Sequence, residues 1–237
     1  MKILVLESSG LVASVAVVTE EKLIGEYTTN FKKTHSQTLL PMMDTLLKMI
    51  GIPVQEMDVI AVSGGPGSFT GLRIGSATAK GLGLALSIPI ISVPTVDAIA
   101  YNLCGTDAVV CPLMDARRNQ TYTGLYTFDG DQMKCISGQK AVMLGKIIDE
   151  INQLGRKVIF LGDGVPVFKP YIEEHIQVPH SYAPIHLSQQ RAGALGALAL
   201  QYYHEGKYES AAEHQPDYLR LSQAERELAA KKGQEKA

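Results

Sequence analysis

Apolar runs cut the chain into short segments. Lys2 to Leu6 is a continuous apolar run that stops at the turn Glu7-Ser8-Ser9-Gly10. Ala13 to Val18 and Lys22 to Thr28 follow at hairpin spacing, so a meander of three strands is expected. Leu39, Leu40, Met43, Leu46, Leu47 and Ile50 then recur at helical spacing, which predicts an amphipathic helix over Ser36 to Ile50. Pro41 is tolerated in its first turn, and Gly51 is a natural stop. A buried strand follows from Val59, then a glycine-rich turn, then a helix of small residues from Ser76 to Leu86. A strand over Pro89 to Val93 and a helix over Val96 to Leu103 complete the first half. A meander followed by β-α-β units implies a mixed sheet flanked by helices.

Cys104-Gly105-Thr106-Asp107 reads as a boundary, and the plan then partly repeats. Strands are expected over Val109 to Met114, Gln120 to Phe128, Gln132 to Ser137 and Val158 to Leu161, with a helix over Leu144 to Leu154. Two lobes follow, 1–106 and 107–237. The stretch from Val165 to Ile185, rich in Pro and His, carries no clear period. A last helix spans about 189–204, and its small-sided run from Ala192 to Ala199 suits packing back on the first lobe. Residues 224–237, dense in Glu, Lys, Gln and Ala, read as a frayed, mobile tail.

Composition narrows the function classes. The chain has 237 residues, 46% of them hydrophobic, and a net charge of −2. That content is ample for real cores, and the near-neutral charge argues against holding nucleic acid alone through a strong positive field. Cys104, Cys111 and Cys135 show no C-x-x-C spacing and fit reduced thiols in a cytoplasmic protein. No apolar run is long enough to span a bilayer, so no membrane partner is expected.

The turn Gly64-Gly65-Pro66-Gly67-Ser68, with Gly71 beyond it, is the strongest local signal. A strand feeding a helix through glycines brings backbone N–H groups to a helix N-terminus, which suits an anion. The same glycines also serve close packing, and the residues leave both readings open. The turn lacks the Gly-Lys-Ser/Thr of a P-loop, the third glycine of a dinucleotide fingerprint and the serine of a nucleophile elbow. His35 stands ahead of the first long helix with no second histidine three or four residues on, so no metal site is expected there. Glu7 and Asp115 each end the first strand of a lobe, either as turn residues or as carboxylates facing one cleft. Arg117 and Arg118 follow Asp115, and Gly162-Asp163-Gly164 closes a second-lobe strand.

Five blocks carry a family resemblance: Ile3 to Ser9, His35-Ser36-Gln37-x-Leu39-Leu40-Pro41, Gly65-Pro66-Gly67-Ser68-Phe69-Thr70-Gly71-x-Arg73-Ile74-Gly75, Asp115-Ala116-Arg117 and Pro216-x-Tyr218-Leu219-Arg220. Together they resemble the TsaB (YeaZ) family over nearly the whole chain. The resemblance implies an α/β, actin-like ATPase (ASKHA, ribonuclease H-like) fold of two related lobes. It implies a bacterial, cytoplasmic scaffold subunit, without catalytic residues or cofactor, needed to form N6-threonylcarbamoyladenosine beside the anticodon of tRNAs decoding ANN codons. Its partners would be the catalytic subunit TsaD and the ATPase TsaE, with tRNA met only through the complex. TsaD-like enzymes carry paired metal-ligand histidines on the helix matching Ser36 to Ile50, where this chain has only His35. The family's first strand commonly ends in Asp where this chain has Glu7, and the second-lobe turn is Gly-Asp-Gly where nucleotide-binding relatives have Gly-Gly. Glu7, Asp115, Gly162 and Gly164 would thus mark a vestigial nucleotide cleft. The competing classes are an active ATPase or phosphotransferase of the same fold and a glycoprotease-like metallopeptidase.

The partner surface is expected on two helices. Leu39, Leu40, Met42, Met43, Leu46, Leu47, Met49 and Ile50 exceed one buried stripe, with Met42 and Met49 falling away from Leu39-Met43-Leu46-Ile50, and Leu39, Met42, Met43, Leu46, Leu47 and Ile50 are the expected contacts. Ala77, Gly81 and Ala85 on the neighbouring helix allow close approach. One such patch, of about 800 Å² per partner, would serve a homodimer alone and a heterodimer with TsaD.

Overall fold

The structure is a computed structural model that describes residues 1–31 and 34–219. The expected tail over 224–237 and Arg220 lie outside the described residues.

The first lobe is built on a five-stranded sheet of order β3-β2-β1-β4-β5. Its strands are β1 (Lys2–Glu7), β2 (Ala13–Thr19), β3 (Leu23–Thr29), β4 (Val59–Gly65) and β5 (Ile90–Pro94). β1 pairs antiparallel with β2 and parallel with β4, where Ile3 faces Val59 and Leu6 faces Val62. The second lobe holds β6 (Val109–Asp115), β7 (Gln120–Asp129), β8 (Gln132–Met143), β9 (Val158–Leu161) and β10 (His180–Tyr182). Its order is β8-β7-β6-β9-β10, the same antiparallel meander followed by two parallel strands. The two lobes therefore repeat one topology, and each begins with its central strand.

Continuous apolar sequence makes β1 central, because both of its faces are covered. Leu4 and Leu6 face α1 (His35–Ile50) and α2 (Phe69–Leu86), while Ile3 and Val5 face α6 (Ala192–His204). α6 comes late in the chain yet packs across β1 and β2, so the first lobe is closed by a helix from the second half. α4 (Leu144–Leu154) and α5 (Val165–His175) cover the outer face of the second sheet through Ile147, Ile148, Ile151, Phe168 and Ile172. α3 (Thr95–Tyr101) sits between the two sheets, with Val96, Ile99 and Ala100 against Val110, Met114, Tyr126 and Leu161.

Four elements differ from the sequence reading. α2 begins at Phe69, not Ser76, because Ser68 caps it by accepting the Gly71 N–H. β8 runs on past Ser137 to Met143 as an edge strand whose pairing with β7 shifts between Thr123 and Leu125. The unassigned stretch after Val165 holds α5 and the short β10. Pro166 enters α5 in its first turn, where a missing N–H leaves no bond unmade.

The fourth difference concerns α1. Met42 does not fall off its buried stripe: Met42 is 5% exposed and Leu47 8%, inside the first lobe's own core. At 100° per residue, Leu39, Met42, Met43, Leu46 and Leu47 span an arc of about 140°. That arc is covered because α1 packs against β2 and β3 and also against α2. Leu40 and Met49 lie just outside it and are exposed.

Candidate functional site

A cavity of about 430 Å³ lies between the lobes. The first lobe contributes Ser9, Gly10 and Leu11 from the β1–β2 turn and Pro66 to Phe69 from the glycine turn. The second lobe contributes Met114 to Arg117, Tyr122 and Asp163, and the segment Asp217 to Leu219 lies along the mouth.

The glycine turn is filled by the chain itself. A Cβ on Gly67 would overlap the Ser9 carbonyl oxygen, and one on Gly71 the Ser8 carbonyl oxygen. A Cβ on Gly75 would overlap the Ser8 hydroxyl. The Ser68 N–H donates to the Ser9 carbonyl at 2.6 Å, and the Ser8 hydroxyl donates to the Gly71 carbonyl at 2.9 Å. Gly65, at φ +115°, lies against the Asp217 carbonyl, while the Asp217 N–H donates to the Gly64 carbonyl at 2.7 Å. Tyr218 packs on Phe69 with ring centroids 4.6 Å apart, and the Arg73 guanidinium sits over the other ring's centroid at 4.1 Å, that of Phe69. Each glycine thus permits close approach by a neighbouring stretch of backbone or side chain.

The second-lobe wall is acidic. Asp115 ends β6, and the Arg117 N–H donates to its Oδ1 at 2.8 Å, with the guanidinium 3.3 Å from Oδ2. Arg117, Arg118 and Asn119 all hold left-handed backbone, at φ 65°, 56° and 58°. That conformation is costly for arginine and marks a strained hairpin tip at the cleft rim. Gly162 and Gly164 lie behind the wall against the Leu113 carbonyl, and the Gly164 N–H donates to it at 2.8 Å. Asp163 between them lines the cavity, and its Oδ1 is buried with no hydrogen-bond partner. Burial pushes the Asp163 carboxyl up to about 6, with the Asp115 charge adding to the effect.

Glu7 does not line the cavity. It is 1% exposed, and its Oε1 accepts from the Ser9 N–H at 2.6 Å and the Ser9 hydroxyl at 2.5 Å. Burial raises its pKa above the usual carboxylate value despite those bonds, and the Asp163 charge contributes. Of the four sequence-derived cleft residues, Asp115 alone faces the cavity. Arg117, which the sequence offers for a phosphate or a carboxylate, lines the cavity on the Asp115 carboxylate, whereas Asp163, Asp217 and Tyr218 line it without having been singled out as a site. The only available signal was Asp163 standing between two glycines at a strand end.

His35 bonds through Nε2 to the Gly10 carbonyl at 2.8 Å, tying the start of α1 to the β1–β2 turn. Among the described residues no three His, Cys, Asp or Glu side chains are grouped to hold a metal ion. On the outer helices, Leu39, Met42, Met43, Leu46 and Leu47 belong to the core, and Ile50 is half-buried. Ala77, Gly81 and Ala85 are exposed, and Leu84 stands beside them at 57% exposure. Among the described residues, no helix is long and apolar enough to cross a membrane.

The duplicated topology and the interlobe cleft define a two-lobed α/β protein of the actin-like ATPase (ASKHA) fold. Residues 22–228 match the family model described as "TsaD: tRNA N6-adenosine threonylcarbamoyltransferase". The chain is 34% identical to the tRNA threonylcarbamoyladenosine biosynthesis protein TsaB of Bacillus subtilis over 95% of this chain and 96% of that one. It is 27% identical to the Escherichia coli protein of the same name over 98% and 100% of the two chains. YeaZ from Pseudomonas aeruginosa is similar in structure, with a TM-score of 0.76 at 27% identity, covering 92% of this chain and 99% of that chain. The chain belongs to the TsaB (YeaZ) family.

Proposed function

We propose that the chain is a non-catalytic scaffold subunit in the formation of N6-threonylcarbamoyladenosine in tRNA, where it supports the catalytic subunit TsaD. The observation that carries this reading is the glycine turn. Its close approaches go to Ser8, Ser9 and Asp217 of the same chain, and the facing wall presents Asp115 and Asp163. The one guanidinium lining that wall, Arg117, is paired with Asp115, so a polyphosphate without a bound cation would meet mostly carbonyls and carboxylates. His35, the one histidine near the helix that bears the metal ligands of TsaD-like enzymes, is bonded to a backbone carbonyl.

The supporting role needs a surface, and the exposed small and apolar residues along one side of α2 supply it: Ala77, Gly81, Leu84 and Ala85. On this reading the same face pairs two copies of the chain in isolation and one copy with TsaD in the complex. TsaE joins that complex, tRNA is met only through it, and the assembly works in the cytoplasm. Reconstitution of tRNA modification from the other components, with and without this chain, tests the proposal. Full product without it refutes the scaffold role. Calorimetric titration with magnesium-ATP tests the non-catalytic assignment, since binding with turnover by the isolated chain would return it to the ATPases.

A further inference from the structure

The two lobes also meet away from the cleft. α3 and α6 of the first lobe face β7 and the β7–β8 turn of the second, around the apolar joint that Val96 and Ile99 make with Met114 and Tyr126. Two groups of hydrogen bonds form at that joint; the bonds from Tyr126 to Asp97 and from Tyr101 and Gln201 to Asp131 cross it, and the others brace α3 against α6. The Tyr126 hydroxyl donates to Asp97 Oδ1 at 2.6 Å, and the Tyr202 hydroxyl donates to Asp97 Oδ2 at 3.3 Å. Gln201 Nε2 donates to the Tyr101 hydroxyl at 2.9 Å and to the Asp131 carbonyl at 3.1 Å, and the Tyr101 hydroxyl also donates to that carbonyl at 3.2 Å. None of the six hydrogen-bonding residues Asp97, Tyr101, Tyr126, Asp131, Gln201 and Tyr202 lines the cleft.

A hinge between lobes needs a few residues free to change φ/ψ and an interface able to slide. Here the interface is tied against sliding by bonds from one lobe to the other. The Asp97 carboxylate, half-buried on α3, accepts from a β7 tyrosine and an α6 tyrosine, and rotation of one lobe leaves the buried Tyr126 hydroxyl without its partner. We infer that the Asp97–Tyr126–Tyr202 cluster and the Tyr101–Gln201–Asp131 cluster pin the lobes at one angle, so that the cleft keeps a fixed width and does not close on a ligand. The inference is independent of the scaffold reading, because it concerns the free chain whatever it pairs with.

Spin labels on the two outer helices test it in the full-length protein. Thr45→Cys on α1 and Glu174→Cys on α5 are exposed sites, placed in a background with the exposed Cys104 and Cys135 changed to Ser. Cys111 stays, since it is wholly buried and burial pushes its thiol up to about 12. Double electron–electron resonance of the otherwise native chain should give one narrow distance distribution, unchanged by magnesium-ATP. Two populations, or a shift on adding the nucleotide, overturn the inference without any pin variant. Tyr126→Phe and Asp97→Ala should each widen the distribution about twofold or split it. Asp97→Asn, which keeps an oxygen for the Tyr126 hydroxyl, should restore the narrow peak. If Tyr126→Phe and Asp97→Ala stay as narrow as the parent, the pin is not what sets the angle. Circular dichroism on each variant separates lobe motion from loss of fold.

Discussion

Replacing Asp163 by Asn should stabilise the protein at neutral pH and flatten the dependence of its stability on pH. The Asp163 carboxyl lines the interlobe cavity with Oδ1 buried and unpartnered. Burial first, and the Asp115 charge after it, raise its pKa from 3.8 to about 6 in the folded chain. The folded state therefore holds this proton to a higher pH than the unfolded state does. Below about pH 4 both states are protonated, and the carboxyl makes its full favourable contribution. Between pH 4 and 6 the unfolded chain has released its proton while the folded chain retains it, so stability falls as pH rises. Above pH 6 the folded carboxyl ionises in its buried site and the loss levels off. A shift of this size corresponds to about 3 kcal/mol at 1.36 kcal/mol per unit. Asn keeps the shape and cannot ionise, so it should recover about 1–3 kcal/mol at pH 7 and almost nothing at pH 4. Asp97 is raised alike in both proteins and cancels in the difference, and Glu7 loses only the smallest of its contributions, the Asp163 charge. Urea unfolding followed by circular dichroism at pH 4, 5, 6 and 7 gives that difference directly. An equal effect at pH 4 and pH 7, or a variant less stable than the parent at pH 7, would refute the argument.

The other predictions concern packing and association. Gly71→Ala should cost about 1–3 kcal/mol, because its new Cβ meets the Ser8 carbonyl, whereas Gly81→Ala has open space and should add about 0.5–1 kcal/mol; thermal melts decide both. Met42→Glu places a charge in the first-lobe core and should cost several kcal/mol, read as lost near-ultraviolet dichroism. Leu84→Lys should leave stability within about 0.5 kcal/mol yet abolish pairing with TsaD in sizing chromatography with light scattering. Arg118→Gly should relieve left-handed strain at the cleft rim and raise stability by about 1 kcal/mol, and a lower melting temperature would show that the arginine side chain is needed there.

Most of the fold was legible because its elements repeat simple periods. The continuous runs at Ile3 to Leu6 and Val109 to Leu113 are the central strands of their sheets, and a strand buried on both faces has to read that way. Leu144 to Leu154 was legible as a helix because Ile147, Ile148 and Ile151 make one sharp stripe. Elements without such a stripe were missed or cut short. α5 is entered through Pro166 and crossed by Pro170, which hid its period. The second half of β8 is an edge strand with little to bury, so Gly138 to Lys140 carry no apolar alternation. The start of α2 was lost because Gly71 and Gly75, poor helix formers, are placed there for contact with Ser8.

The site was harder to read for a different reason: its geometry depends on pairs of residues far apart in sequence. Nothing around Gly65 announces that Asp217 will lie against it, and nothing around Ser8 announces Gly71 and Gly75. A glycine turn that cradles a ligand and one that cradles its own chain have the same local sequence, since both need only the absence of a Cβ. What separates them is what fills the space, and here that is the β1–β2 turn on one side and the Asp217–Leu219 segment on the other. The same logic governs α1. Whether Met42 is an exposed anchor or a core residue turns on how much of the helix its neighbours cover, and α2 covers the side that one sheet alone would leave open. Spacing along a helix gives directions; burial is decided by the elements that arrive from elsewhere in the chain.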